Sequence, residues 1–207
     1  MKLFITGIST DVGKTIASAI IVEALNADYW KPIQAGDLEN SDTSKVKKLV
    51  QNSISHYHES AYLLKTPASP HYAAFIDNTK IELKQIVVPE TANQHLVIEG
   101  AGGIYVPLND SDCVIDLIQN DYKVIIVSRH YLGSINHTLL TIEALKNKKI
   151  HIAGIVFSGD HNKATEEIIL SKTKIKMIGR IENEPYFDQN VISYYAALFQ
   201  EKLLNLE

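Results

Sequence analysis

Lys2-Leu-Phe-Ile-Thr-Gly-Ile-Ser-Thr-Asp-Val-Gly-Lys-Thr15 decides the fold: an apolar run enters a loop ending Gly13-Lys14-Thr15, and Ile16-Ala-Ser-Ala-Ile-Ile-Val22 follows. The order predicts strand, phosphate loop and helix. A loop with few bulky side chains lets backbone N–H groups curl round a phosphate, and the next helix adds unpaired donors and the positive end of its dipole. Lys14 supplies a mobile cation and Thr15 a hydroxyl for Mg²⁺, so the expected ligand is a nucleoside triphosphate. Five residues rather than four separate Gly7 from Gly13, which puts Ile8 where the ordinary motif has its first glycine. A bare Gly-Lys-Thr recurs by chance on protein surfaces. The strand before it and the helix after it are what distinguish this one.

Moving outward, 207 residues favour one large domain, 1–207, with room for a sizeable core. At 45% hydrophobic and 21% charged, the composition is that of an ordinary globular protein. No apolar run approaches the roughly 20 residues needed to span a bilayer, so no membrane partner is expected. The chain passes from one lysine directly into its first strand, without the apolar stretch and cleavage site of a secretory signal. A cytoplasmic location is expected. The single cysteine, Cys113, excludes an internal disulfide framework and has no metal-type spacing around it, which leaves core packing as its expected role. A net charge of −4 argues against a nucleic-acid-binding surface.

After a first helix expected over 13–26, Tyr29-Trp-Lys-Pro-Ile33 reads as a short strand ended by its proline, with Lys31 at the strand end. Asn40, Ser41 or Asp42 could cap a helix through Val46-Lys-Lys-Leu-Val50. Tyr62-Leu-Leu64 suggests another short strand, Thr66-Pro-Ala-Ser-Pro70 a breaker, and 80–91 a weak helical period. The second half is more regular. Apolar runs at His95-Leu-Val-Ile98, Lys123-Val-Ile-Ile-Val127, His151-Ile-Ala-Gly-Ile-Val-Phe157 and Lys176-Met-Ile-Gly-Arg-Ile181 read as buried parallel strands. Helices are expected over about 113–119, 134–146, 163–170 and 191–204. This alternation predicts an α/β fold, a doubly wound, mostly parallel sheet with helices on both faces and ligands at the C-terminal ends of its strands.

That arrangement turns the phosphate loop, Lys31, Asp42 and Glu99 into neighbours. Glu99 follows an apolar run and opens Glu99-Gly100-Ala101-Gly102-Gly103, where glycines permit close approach of backbone to a ligand. An acid at the end of a second strand can hold Mg²⁺ opposite the phosphate-loop hydroxyl. Taken singly, Asp42 would be a helix cap and Lys31 a solvated surface lysine.

Gly7-Ile-Ser-Thr-Asp-Val-Gly-Lys-Thr15, Trp30-Lys-Pro-Ile-Gln-Ala-Gly36, Asn40-Ser-Asp42, Pro67-Ala-Ser-Pro-His71, Glu99-Gly-Ala-Gly-Gly103 and Leu132-Gly-Ser-Ile-Asn-His137 stand in the order found in dethiobiotin synthetases, and the chain resembles that family clearly to about residue 160. The resemblance implies an ATP- and Mg²⁺-dependent homodimer of biotin synthesis that joins 7,8-diaminononanoate and CO₂ into the ureido ring of dethiobiotin. It implies that Lys14 holds the β/γ-phosphates, that N–H groups of Val12, Gly13, Lys14 and Thr15 surround them, that Thr10 touches the carbamate region, and that Asp11 lies with Thr10 between the γ-phosphate and the carbamate. Lys31 would stabilise the carbamate oxygen and the charge developing during transfer. Thr15, Asp42 and Glu99 would hold Mg²⁺, with Gly100, Ala101 and Gly102 beside the nucleotide. Gly133, Ser134, Ile135 and Asn136 would receive the carboxylate of substrate bound mainly by the neighbouring subunit. Ala35 stands where many relatives carry a hydroxyl, and Phe157-Ser158-Gly159-Asp160 where they often place Asn-Asp to read adenine. That leaves Ser158 the nearest equivalent for the base.

A P-loop ATPase switch of the partitioning or septum-placement type is the alternative. Such proteins carry a second lysine near the start of the loop, and Ile8-Ser-Thr-Asp-Val12 has none. A small-molecule kinase would need an arginine-rich lid, and the chain has only Arg129 and Arg180. The histidines show no metal-ligand spacing and read as structural or surface residues.

Overall fold

A computed structural model describes residues 1–206. The run Lys2–Gly7 forms β1, in which every residue after Lys2 is buried. A central parallel strand, covered on both faces, calls for such an unbroken apolar run. In chain order the remaining elements are α1 (Lys14–Leu25), β2 (Asp28–Trp30), β3 (Ile33–Ala35), α2 (Asp42–Leu49), β4 (Tyr57–His58), β5 (Tyr62–Leu64) and α3 (Pro70–Ile76). Then come β6 (Leu96–Gly103), β7 (Tyr122–Arg129), α4 (Ser134–Asn147), β8 (Ile152–Ser158), α5 (Lys163–Thr173), β9 (Met177–Ile181) and α6 (Gln189–Leu204).

Among the described residues seven strands form one sheet in the order β4-β2-β6-β1-β7-β8-β9, and each pair of neighbours runs parallel. The phosphate loop therefore leaves the centre of the sheet, and the strand order reverses beside it, where α/β sheets open a crevice. Helices α1, α2 and α6 pack on one another and α4 packs on α5, as in a doubly wound architecture. The core runs through Phe4, Ile20, Ile21, Tyr29, Ile98 and Phe157, each at most 1% exposed. Burial of each such side chain is worth about 1.5–3 kcal/mol. None of the described helices is long and apolar enough to cross a membrane.

Four expectations need correction. The expected strand 29–33 is two: β2 ends at Trp30, and after Lys31-Pro32 the chain enters β3, which pairs with β5 in a separate two-stranded sheet. Pro32 has no N–H to continue a ladder, so the break falls there and Lys31 emerges between the sheets. Glu99 does not follow a strand but lies within β6, because pairing with β1 continues through Ile5–Glu99 and, past an irregularity, Gly7–Gly103. The expected helix over 113–119 is a single 3₁₀ turn, Val114–Leu117, and the weak period over 80–91 gives only Leu83–Gln85. Both segments are too short for helix propagation to offset the cost of nucleation.

Candidate active site

The start of α1 is built to take an anion. Gly13 sits at φ 93°, a conformation that costs glycine nothing and lets the loop turn into the helix. No side chain caps this helix, so its first-turn N–H groups keep the donors that Ser41 and Asn162 satisfy at the starts of α2 and α5. Lys14 is buried and folds back over the loop, its Nζ donating to the Ser9 carbonyl at 3.1 Å, its one hydrogen-bond partner among the described residues. Burial pushes the Lys14 ammonium below its ordinary value, and the Lys31 charge adds to that against the pull of Glu99 and Asp42. A buried ammonium in that state is stabilised by an incoming anion.

Beside the loop, β2 and β6 bring together a second set of charges. Lys31 Nζ lies 2.8 Å from Asp42 Oδ2 and 3.1 Å from Glu99 Oε1. Thr15 Oγ1 donates to the same Glu99 oxygen at 3.0 Å, and the Tyr29 hydroxyl donates to Glu99 Oε2 at 2.9 Å. Burial works against the charged form of Lys31, but Glu99 and Asp42 outweigh it and hold the ammonium above its ordinary value. Burial likewise opposes ionisation of Asp42, and Lys31 overrides it, keeping that carboxyl below its usual range. Burial and then the Glu99 charge drive the Tyr29 phenol far up, so it remains a donor.

Asp42 reaches this place because Ser41, not Asp42, caps α2, its Oγ accepting from Ser44 N at 3.2 Å. That frees the Asp42 carboxylate to face Lys31. The Asp42 backbone N–H donates to Gln34 Oε1 at 3.2 Å, and Gln34 Nε2 donates to the Gly36 carbonyl at 2.9 Å, which ties the loop after β3 to the start of α2.

These groups line one open cleft of about 970 Å³. Thr10, Asp11, Gly13, Lys14 and Thr15 form its floor; Lys31, Ala35, Asp42 and Glu99 form one wall, continued by Ala101 and Gly102. The other expected residues fall elsewhere. Val12 turns its side chain into the core and has only its backbone at the loop. A Cβ on Gly100 would stand 3.1 Å from the Phe4 ring, so this glycine admits strand packing. Ser158 is buried, with Oγ 3.1 Å from where a Gly13 Cβ would sit, and thus braces the phosphate loop. Gly133, Ser134, Ile135 and Asn136 open α4 outside the cleft.

Sequence reasoning missed Arg129, Phe187, Gln34 and Tyr29. Arg129 closes β7 and lines the cleft, so the rule that strand ends gather the ligand groups had already pointed to it. Phe187 comes from a loop with no periodicity, and Tyr29 looked like one more apolar strand residue. Cys113 is half-buried at the start of a 3₁₀ turn, its thiol pushed up by burial and Asp116, which disfavours a reactive thiolate.

A family model described as an AAA domain matches residues 1–191. The chain is 59% identical over 203 residues to an ATP-dependent dethiobiotin synthetase of Christiangramia forsetii, with 98% of each chain covered. It is 50% identical over 196 residues to the ATP-dependent dethiobiotin synthetase of Cytophaga hutchinsonii, covering 94% of this chain and 95% of that one. Among solved structures, the MinD cell division protein of Aquifex aeolicus superposes with a TM-score of 0.63 at 13% identity, over 100% of this chain and 98% of that one. The septum site-determining protein MinD of Pyrococcus horikoshii, complexed with Mg-ADP, gives 0.62 at 13%, over 100% and 94%. At such identities the likeness concerns the fold, whereas identity of one half or more along nearly the whole length speaks for descent from one enzyme. The chain belongs to the ATP-dependent dethiobiotin synthetase family.

Proposed function

We propose that this protein uses ATP to close the ureido ring of dethiobiotin from 7,8-diaminononanoate and CO₂. One observation carries the site assignment. A buried lysine that lacks an anionic partner, Lys14, shares a cleft with a lysine held between two carboxylates, Lys31. A carbamate is a poor acylating agent until one of its oxygens becomes a leaving group. In the proposed sequence a substrate amine takes up CO₂ and releases a proton, and a carbamate oxygen attacks the γ-phosphorus of ATP as ADP departs. The second amine then attacks the resulting carbamic-phosphoric anhydride at carbon, forming the second C–N bond and giving up a proton as phosphate leaves with its electron pair. Phosphoryl transfer is catalysed by positioning and charge stabilisation, so the site needs cations and no protein nucleophile.

Lys14 and the open N–H groups of the loop take the β/γ-phosphates, and Thr10 and Lys31 the carbamate side. Thr15, Asp42 and Glu99 suit Mg²⁺: they are hard oxygen donors, the two carboxylates already meet one cation, the Lys31 ammonium, and the Thr15 hydroxyl reaches the same Glu99 oxygen. When bound at these residues, the ion would help neutralise the charge of the phosphates. Among the described residues no group of three His, Cys, Asp or Glu is arranged to hold a metal ion. Gly133 to Asn136 would complete the substrate site of a partner subunit, so the working form is a homodimer.

The test mixes protein, 7,8-diaminononanoate, bicarbonate, Mg²⁺ and ATP. The expected products are dethiobiotin, ADP and phosphate in equal amounts. Phosphate released without a cyclic urea would overturn the assignment, and hydrolysis indifferent to the diamine would point to a switch ATPase.

A further inference from the structure

The two arginines of the chain are placed in opposite circumstances. Arg180 is spent: its Nη1 meets both oxygens of Glu166 at 2.9 and 3.0 Å, and its Nε meets Glu182 Oε1 at 2.6 Å. Arg129 is exposed, lines the phosphate-loop cleft, and makes no hydrogen bond or ion pair among the described residues. Its backbone, by contrast, is fixed. Arg129 stands across from Ser158 in the β7–β8 ladder, and Ser158 abuts Gly13 of the loop. The next residue, His130, donates its backbone N–H to the Ser158 carbonyl at 3.0 Å, sets Nε2 3.1 Å from Glu166 Oε1, and stacks on Phe157 with ring centroids 5.4 Å apart. An unpaired guanidinium on a fixed backbone thus faces a cleft made for an anion.

We propose that Arg129 is a nucleotide-binding residue whose guanidinium receives the α/β-phosphate segment of ADP and ATP. The proposal rests on the cleft being the nucleotide site. Sheet order supplies the direction. Lys31 and Glu99 reach the loop from β2 and β6, on one side of β1, whereas Arg129 reaches it from β7, on the other. With the γ-phosphate turned toward the carbamate beside Lys31, the inner phosphates lie toward β7. A guanidinium can form two parallel N–H···O bonds to phosphate, with both partners charged. Because that contact exists equally before and during phosphoryl transfer, it strengthens binding of ground state and transition state alike.

Calorimetric titration with Mg²⁺-ADP, and with a non-hydrolysable ATP analogue, tests this. Arg129→Ala is expected to weaken both ligands by the same factor, about tenfold, Arg129→Lys to recover part of the loss, and the KM for ATP to rise by more than kcat falls. Lys172→Ala removes a charge from the far end of α5 and is expected to leave both affinities at the wild-type level. Because the Arg129 side chain is exposed and unpaired, the ligand-free variant is expected to melt with the wild type. Unchanged ADP affinity in Arg129→Ala overturns the proposal, and so does a loss confined to the ATP analogue, which would put the guanidinium on the γ-phosphate. Wild-type protein that binds neither ligand would defeat the nucleotide site itself.

Discussion

Lys31 has two claims on it, and they conflict. As observed, its ammonium holds Asp42 and Glu99 together in a place that is almost free of solvent. For carbamate chemistry it has to face the substrate, and the same carboxylates are the ones suited to Mg²⁺. Two cations cannot share those oxygens closely, so under the proposed roles binding of Mg²⁺ would be coupled to release of Lys31. Lys31→Ala is therefore expected to retain ADP binding while kcat falls by about 10²–10³, the range for losing one stabilising group at developing charge. The substitution also leaves the buried Glu99 carboxylate without its cation, while the half-buried Asp42 keeps Lys45 at 3.6 Å; losing one partner of a buried pair costs about 3–5 kcal/mol. Mg²⁺ without nucleotide should restore much of this, raising the melting midpoint of Lys31→Ala by more than that of the wild type. Equal shifts in the two proteins would show that Lys31 and the metal do not compete, and turnover near the wild-type level would remove Lys31 from catalysis.

The short element β2 is anchored at its other end by Asp28, whose carboxylate is buried and collects donors from two loops. It accepts from His56 N at 2.8 Å, from Asn93 Nδ2 at 2.6 Å and from Thr91 Oγ1, and stands 3.2 Å from His58 Nε2. Burial alone would raise its pKa, but the hydrogen bonds from Thr91, His56 and Asn93 outweigh burial and lower it. A lowered folded-state value means stability that is present above the unfolded pKa of about 4 and is lost as pH falls through the folded value. Asp28→Asn, which cannot titrate, is expected to melt below the wild type at pH 7 by the equivalent of about 1–3 kcal/mol. The gap should narrow as pH falls from about 5 through the unfolded carboxylate value and below it. A gap independent of pH would place the anchoring elsewhere. This staple also shows what element patterns conceal. The strands β1, β7, β8 and β9 were legible as apolar runs because a covered parallel strand has no polar face to interrupt it. β4 was not legible, since its two residues gain their place from pairing with β2 and from Asp28. The glycine-rich end of β6 looked like a loop because its conformation is set by the neighbour β1, a partner 90-odd residues away in sequence.

Sheet order decides which of these local features become a site. With β1 between β6 and β7, the phosphate loop has acidic groups and Lys31 on one side and Arg129 on the other, although the chain separates them widely. Lys14, Thr15, Lys31, Asp42 and Glu99 were legible because each ends or follows a recognisable run. Arg129 was open to the same strand-end rule but was passed over, and Phe187 became visible only in three dimensions. Gly133 to Asn136 pose the remaining question, since they open α4 outside the cleft that holds Lys31, and Asn136 is exposed. If they serve the cleft of a second copy, two differently damaged chains can rescue one another. Lys31→Ala disables its own cleft, and Asn136→Ala disables the cleft of its partner. In a random mixture half of the dimers are mixed, and each mixed dimer has one site with an intact cleft and an intact partner segment. Two nearly inactive variants, mixed after dissociation and allowed to reassociate, are thus expected to regain about a quarter of wild-type activity per chain. Activity that stays at the average of the two variants would mean that each chain completes its own site, and the segment opening α4 would lose its place in the reaction.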